Sequence, residues 1–121
     1  MRTPFSMIIK IVIVVLFISC DATDCQKLPK SFDSYAQAQS LIINSNFKLT
    51  EHLNTKSSSW IREISYFSCD GASGFLILTT DSNKYIHEKV PIEIWIDFKN
   101  ADSFGQYWNK NLKNKYRLNI K

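Results

Sequence analysis

Two groups of residues in this chain have the types and spacing to do chemistry. Tyr85 and His87 lie two apart in a stretch with strand character, so their side chains share one face. A phenol beside an imidazole that changes charge near pH 6.5 suits a ligand-contacting pair. The structural alternative makes Tyr85 a packing residue under a helix and His87 a polar group at a sheet edge. Ser103 and Gly105 form the second group, at the start of a helical stretch. Ser103 there serves as the cap and Gly105 allows close packing, or the two frame an anion site at the helix N-terminus. Downstream, Tyr107, Trp108 and Tyr116 run among Lys110, Lys113, Lys115 and Arg117. That mixture describes a single-strand nucleic-acid surface, a basic face against anionic headgroups, or a solvated basic face over a packed aromatic stripe. No nucleophile elbow, glycine-rich phosphate loop or paired-carboxylate motif is present, so no catalytic residue is assigned. His52 and His87 stand far apart in sequence and neither cysteine outside the leader has a second one nearby, which gives a metal site no support. No cofactor is expected.

The start of the chain addresses the protein elsewhere. Arg2 and Lys10 precede an unbroken apolar run from Ile11 to Ile18, followed by Ser19 and Cys20. Such a run is too short for a bilayer, which needs roughly 20 apolar residues, and fits a signal peptide over residues 1–19. A short uncleaved anchor is the alternative. Phe17-Ile18-Ser19-Cys20 resembles the lipobox of bacterial lipoproteins, and that resemblance implies lipid attachment at Cys20, with a cleaved, secreted protein as the other outcome. Two or more acyl chains make membrane residence stable. The expected location is the bacterial cell envelope, with residues 20–30 as the tether. An exported chain meets an oxidising compartment, and with Cys20 acylated only Cys25 and Cys69 remain to pair. Closing a loop of about 45 residues stabilises by roughly 3–4 kcal/mol in the entropic model; two free thiols are the alternative.

Charge argues weakly. Removing Arg2 and Lys10 from fifteen basic residues leaves thirteen against eleven acidic ones, a net +2. That is too little to argue for nucleic acid by composition. The 121 residues suffice for one domain once the leader is gone.

The elements that position these residues follow from periodicity. Residues 31–44 read as a helix, with Ser34 and Gln37 as a capping box and Phe32, Tyr35, Ala38, Leu41 and Ile42 on one core stripe. Residues 47–53 alternate loosely as a strand. Residues 60–67 form a strand with Trp60, Ile64 and Tyr66 on one face and Ile61 and Phe67 on the other. Asp70-Gly71 marks a hairpin, residues 74–80 the most apolar strand, and residues 84–88 a shorter, more polar one. Pro91 suits the first position of a helix carrying Val90, Ile94, Phe98 and Ala101 on one face, with Trp95 beside it. Phe104, Tyr107, Trp108 and Leu112 give a second helical stripe, and Tyr116 and Leu118 anchor a basic tail. The expectation is an α+β fold: an N-terminal helix, an antiparallel meander of three to four strands, and C-terminal helices packed on the sheet. Residues 31–56 supply the first helix and a connection, and residues 57–118 the main domain.

Ser58-Ser59-Trp60-Ile61, the strand ending at Tyr66, Phe75 and Leu78, Tyr85-Ile86-His87, Val90-Pro91, Ala101 to Gly105, and Tyr107 through Lys110 to Tyr116 together resemble the KTSC domain. The family is named for the C-terminal region of some lysyl-tRNA synthetases and is functionally uncharacterised. Its central mark is Tyr-x-Tyr, where this chain has Tyr85-Ile86-His87. The resemblance marks Tyr85, His87, Ser103, Gly105, Tyr107 and Tyr116 as candidate ligand-binding residues. It also implies RNA binding, which export disfavours. The expected role is a monomeric, non-enzymatic binding or interaction module facing an envelope protein or ligand; the alternatives are RNA binding and a small hydrolase.

Overall fold

Strands that are apolar on both sides must be covered on both sides, and that requirement organises this molecule. The computed structural model describes residues 23–55, 58 and 60–121. The signal-peptide expectation and Cys20 lie outside those residues. Thr23–Asp24 (β1) pairs in parallel with Ser45–Asn46 (β2), and Tyr35–Ile43 (α1) lies between them in sequence. Leu49–Asn54 (β3), Ile61–Ser68 (β4), Ser73–Thr80 (β5) and Lys84–Pro91 (β6) then form a four-stranded antiparallel meander in sequence order. Ile92–Lys99 (α2) and Phe104–Asn111 (α3) complete the α+β fold. Among the described residues no helix is long and apolar enough to cross a membrane.

One face of the sheet packs against α2 and α3. Ile64, Tyr66, Leu76, Leu78 and Val90 meet Trp95, Phe98, Trp108 and Leu112 there. Trp95 is the centre of this layer rather than a neighbour of it: it is fully buried and stacks on Tyr66 at 5.1 Å. Its indole donates to Glu51 at 2.5 Å, and Lys99 reaches the same carboxylate at 2.9 Å. These partners, the Trp95 bond foremost, hold the Glu51 carboxyl below its ordinary range. The Tyr66 hydroxyl donates to the Val90 carbonyl at 2.7 Å, and burial pushes its pKa up to about 12.

The other face is covered by α1 and by the two chain ends. Phe32, Ala38, Ile42 and Leu118 close over Phe67, Ile77 and Ile86. Ser34 caps α1 by accepting from the Gln37 amide at 3.1 Å, while Gln37 returns its side chain to the Asp33 amide at 2.6 Å. Tyr35 leaves the expected core stripe: it is 44% exposed, because it occupies the first helical position at the rim of the sheet. Cys25 and Cys69 are joined, their Cα atoms 5.8 Å apart, so residues of the expected tether are sewn to the β4–β5 turn. That turn uses Gly71 at φ 80 and Asp70, whose carboxylate accepts from the Ala72 and Ser73 amides.

Two expected details change. Ile61 joins the face of Ile64 and Tyr66 instead of opposing it, because a register shift between Ile61 and Glu63 offsets the alternation. Pro91 ends β6 and precedes the helix, which begins at Ile92.

Candidate functional site

The open edge of β6 collects most of what the sequence singled out. Tyr85 and His87 leave the strand on the face of α3, and Trp108 of α3 lies against both, its ring 4.9 Å from Tyr85 and 6.1 Å from His87. Beyond α3 the chain turns back. Asn114 and Tyr116 take left-handed backbone conformations, at φ 64 and φ 52, and deliver the tail alongside β6. The Glu88 amide donates to the Tyr116 carbonyl at 2.9 Å, and His87 pairs with Arg117 in an isolated bridge. Farther on, the Glu88 carboxylate accepts from the Asn119 amide, and Ile120 bridges to Phe32. The tail is therefore a strap from the edge strand to the N-terminal segment, and it closes an edge that would otherwise invite pairing.

His87 is the buckle of that strap. It is only 6% exposed. The Trp108 indole donates to Nε2 at 3.0 Å, and Nδ1 lies 2.9 Å from the Lys115 carbonyl. An indole N–H can only donate, so Nε2 must be the bare nitrogen, and Nδ1 must carry the proton given to Lys115. The imidazole is thus neutral with both nitrogens engaged. Burial pushes its pKa below the ordinary histidine value, against the opposing pull of the Lys115 and Tyr116 backbone. The expectation of a polar edge group is corrected: the strand is an edge, but α3 and the strap bury the side chain. The same geometry leaves no free nitrogen for a general base.

Between α1, β6 and the strap lies a cleft of about 420 Å³. Tyr85, His87 and Trp108 form its floor, Tyr35 and Ile120 one wall, and Lys113 and Arg117 the cationic rim. Lys113 is exposed, and Arg117 donates to the Asn114 side chain at 3.3 Å while remaining exposed. The two cations at the edge can pair with a carboxylate-bearing group, while the aromatic floor offers apolar contact to the rest of it.

The other candidates lie elsewhere. Ser103 caps α3 by accepting from the Gln106 amide at 3.2 Å. Gly105 is packed so closely on Trp60 that an added Cβ would sit 2.7 Å from the indole nitrogen. Both line a separate hollow with Trp60 and Asn109. Tyr107 stacks on Phe98 at 5.1 Å and donates to the Ile94 carbonyl at 3.3 Å, with burial raising its pKa first and Asp97 adding to that. Tyr116 lines a shallow hollow with Glu88 and Lys89 rather than the cleft. Tyr35 and the rim cations were missed as site residues, since no periodicity relates residue 35 to residues 113–117. Asp24, Cys25 and Cys69 are the one group among the described residues close enough to share a metal, but both sulfurs are spent in the bridge.

Residues 57–116 match the family model of the KTSC domain. That stretch belongs to the KTSC family. No curated protein and no solved structure matches the chain. The KTSC region holds β4 to β6, α2, α3 and the first turn of the strap, so the floor of the cleft is family material. Tyr35, Arg117 and Ile120, which wall and rim the same cleft, lie outside it. In this chain the KTSC domain is therefore completed by segments on either side: α1 and β3 before it, the strap after it.

Proposed function

We propose that this protein is a non-enzymatic binding module that receives an acidic group of a partner in the β6 cleft, and that it does so at the bacterial cell envelope, anchored through lipid on Cys20. The observation carrying the reading is the juxtaposition in one cleft of the motif floor, Tyr85, His87 and Trp108, with Lys113 and Arg117. The joined Cys25 and Cys69 support an oxidising compartment. Thr23, already paired to β2, stands three residues from Cys20, a reach of at most about 11 Å. A lipid there would hold the domain against the bilayer with little free tether.

The alternatives draw less support. Of the three aromatic residues set among the basic ones, Tyr107 and Trp108 are packed against Phe98, Tyr85 and Trp60 rather than presented for base stacking. Hydrolysis through His87 would need a nitrogen that is already bonded. The test is a paired capture from bacterial envelope extracts with the lipidated chain and with a Lys113→Glu/Arg117→Glu double variant. A partner held by the first and lost by the second is the expected result. Identical captures from both would remove the cleft from the reading.

A further inference from the structure

Residues 23–31 take no part in either layer of the core, whose buried members all lie at Phe32 or beyond. Phe32 itself is firmly fixed. It is 1% exposed, its amide donates to the Asn119 carbonyl, and its carbonyl accepts from the Lys121 amide, each at 2.8 Å. Upstream of it the chain is held by little. Thr23 and Asp24 are exposed and pair with two residues of β2. Cys25–Lys27 make a single 3₁₀ turn with no buried residue, capped by the Asp24 carboxylate, which accepts from the Gln26 amide at 3.0 Å. Farther along, the Lys30 carbonyl accepts from the Asn119 side chain at 3.2 Å. The strongest tie is covalent, the Cys25–Cys69 bond to the β4–β5 turn.

Between this segment and the sheet lies a hollow of about 520 Å³. Cys25, Leu28 and Pro29 wall it on one side, and Phe47, Phe67 and Phe75 on the other. The three rings form a row, with Phe47 5.4 Å from Phe67 and 6.3 Å from Phe75. Cys69 is half-buried and lines the same hollow, which gives a small thiol a way to the bridge. A bond placed outside the core, open to attack and holding a segment with few other contacts, is suited to being made and broken while the domain stays folded.

We propose that the Cys25–Cys69 bond is a redox clasp: reduction by a small dithiol frees residues 23–31 and uncovers the phenylalanine row, while both core layers stay folded. A thiolate of the dithiol attacks the Cys69 sulfur from the hollow, and Cys25 leaves as a thiolate that takes up a proton. The second thiol then attacks the mixed disulfide and releases the Cys69 thiol. Two electrons pass to the bridge, and the dithiol departs as its own disulfide. Without the bond, the entropy of ordering the segment outweighs a two-residue strand pair, one cap and one side-chain hydrogen bond. Under the lipid-anchor reading, the first fixed residue then moves from Thr23 to Phe32. The reach from Cys20 grows from about 11 Å to about 40 Å, so reduction lets the domain stand away from the bilayer.

Limited tryptic digestion of the full native chain tests the clasp without reference to the anchor, comparing untreated protein with protein reduced by dithiothreitol and alkylated. Cys25 and Cys69 should both alkylate in the absence of denaturant, and the reduced chain should keep a cooperative melt. Cleavage after Lys27 and Lys30 should rise by about tenfold or more, because proteolysis follows the population of the open segment, while cleavage after Lys113 and Lys115 stays unchanged. Cys25→Ser with Cys69→Ser should match the reduced wild type and ignore dithiothreitol. A bridge that resists reduction until the domain unfolds, or a reduced chain without a cooperative melt, would overturn the proposal. So would equal cleavage after Lys27 in both forms, or equal acceleration in the segment and the strap.

Discussion

Replacing His87 with leucine tests the central structural claim about the family motif. The substitution keeps volume and burial but removes both nitrogens. Trp108 is 5% exposed, so its indole N–H would lose its acceptor where water cannot readily replace it. Stranding a buried donor costs about 1–3 kcal/mol. The Lys115 carbonyl loses its donor too, but Lys115 is exposed and water can substitute. Leucine recovers part of the loss through apolar burial. A net loss near 2 kcal/mol follows, which for a domain of about 100 residues lowers Tm by about 8–16 °C. A second readout is independent of that magnitude. The folded-state pKa of His87 is depressed, so the unfolded chain takes up the proton first, and wild-type stability falls as pH drops through about 6.5 towards the folded value. The variant has nothing to protonate there. Thermal melts at pH 7 and pH 5 should show the gap between wild type and His87→Leu narrowing in acid. A variant melting with the wild type at pH 7, or a gap that stays constant between the two pH values, would refute the buckle.

Four further variants probe other parts of the structure. Gly105→Ala places a Cβ 2.7 Å from the Trp60 indole nitrogen and should cost about 1–3 kcal/mol in denaturant unfolding; an unchanged midpoint would deny the packing role. Cys25→Ser with Cys69→Ser reopens a separation of 44 residues and should lose roughly 3–4 kcal/mol, and a non-reducing peptide map with both thiols free in the native protein would contradict the bridge. Cys20→Ala should move the protein from membrane to soluble fractions; unaltered fractionation would end the lipid-anchor reading. Leu78→Asp puts an unpaired carboxylate among fully buried side chains and should abolish cooperative unfolding, so a normal melting curve would reject the core assignment.

Much of the fold was legible because it is written in local periods. The α1 cap at Ser34, the Asp70-Gly71 turn and the two-sided apolar run of β5 are decided by residues within a few positions of one another. The KTSC pattern itself was readable for the same reason. Ile61 and Pro91 went astray at a register shift and at a strand end, where local pattern and pairing disagree. The candidate site was legible only in pieces. Tyr85 and His87 announced a shared face, but strand periodicity does not reveal that the indole facing His87 is 21 residues away.

The sequence by itself determined the helices, the antiparallel meander and the identity of the motif, since those depend on spacing along the chain, but not the short β1–β2 pair, which joins the expected tether to the residues after α1. Only the tertiary structure decided how the motif is packed. His87 became neutral and doubly bonded because α3 and the returning strap meet over it, and Tyr35 became a cleft wall because the rim of the sheet lies beneath it. Each of these is a long-range coincidence in space, and no short-range preference encodes it.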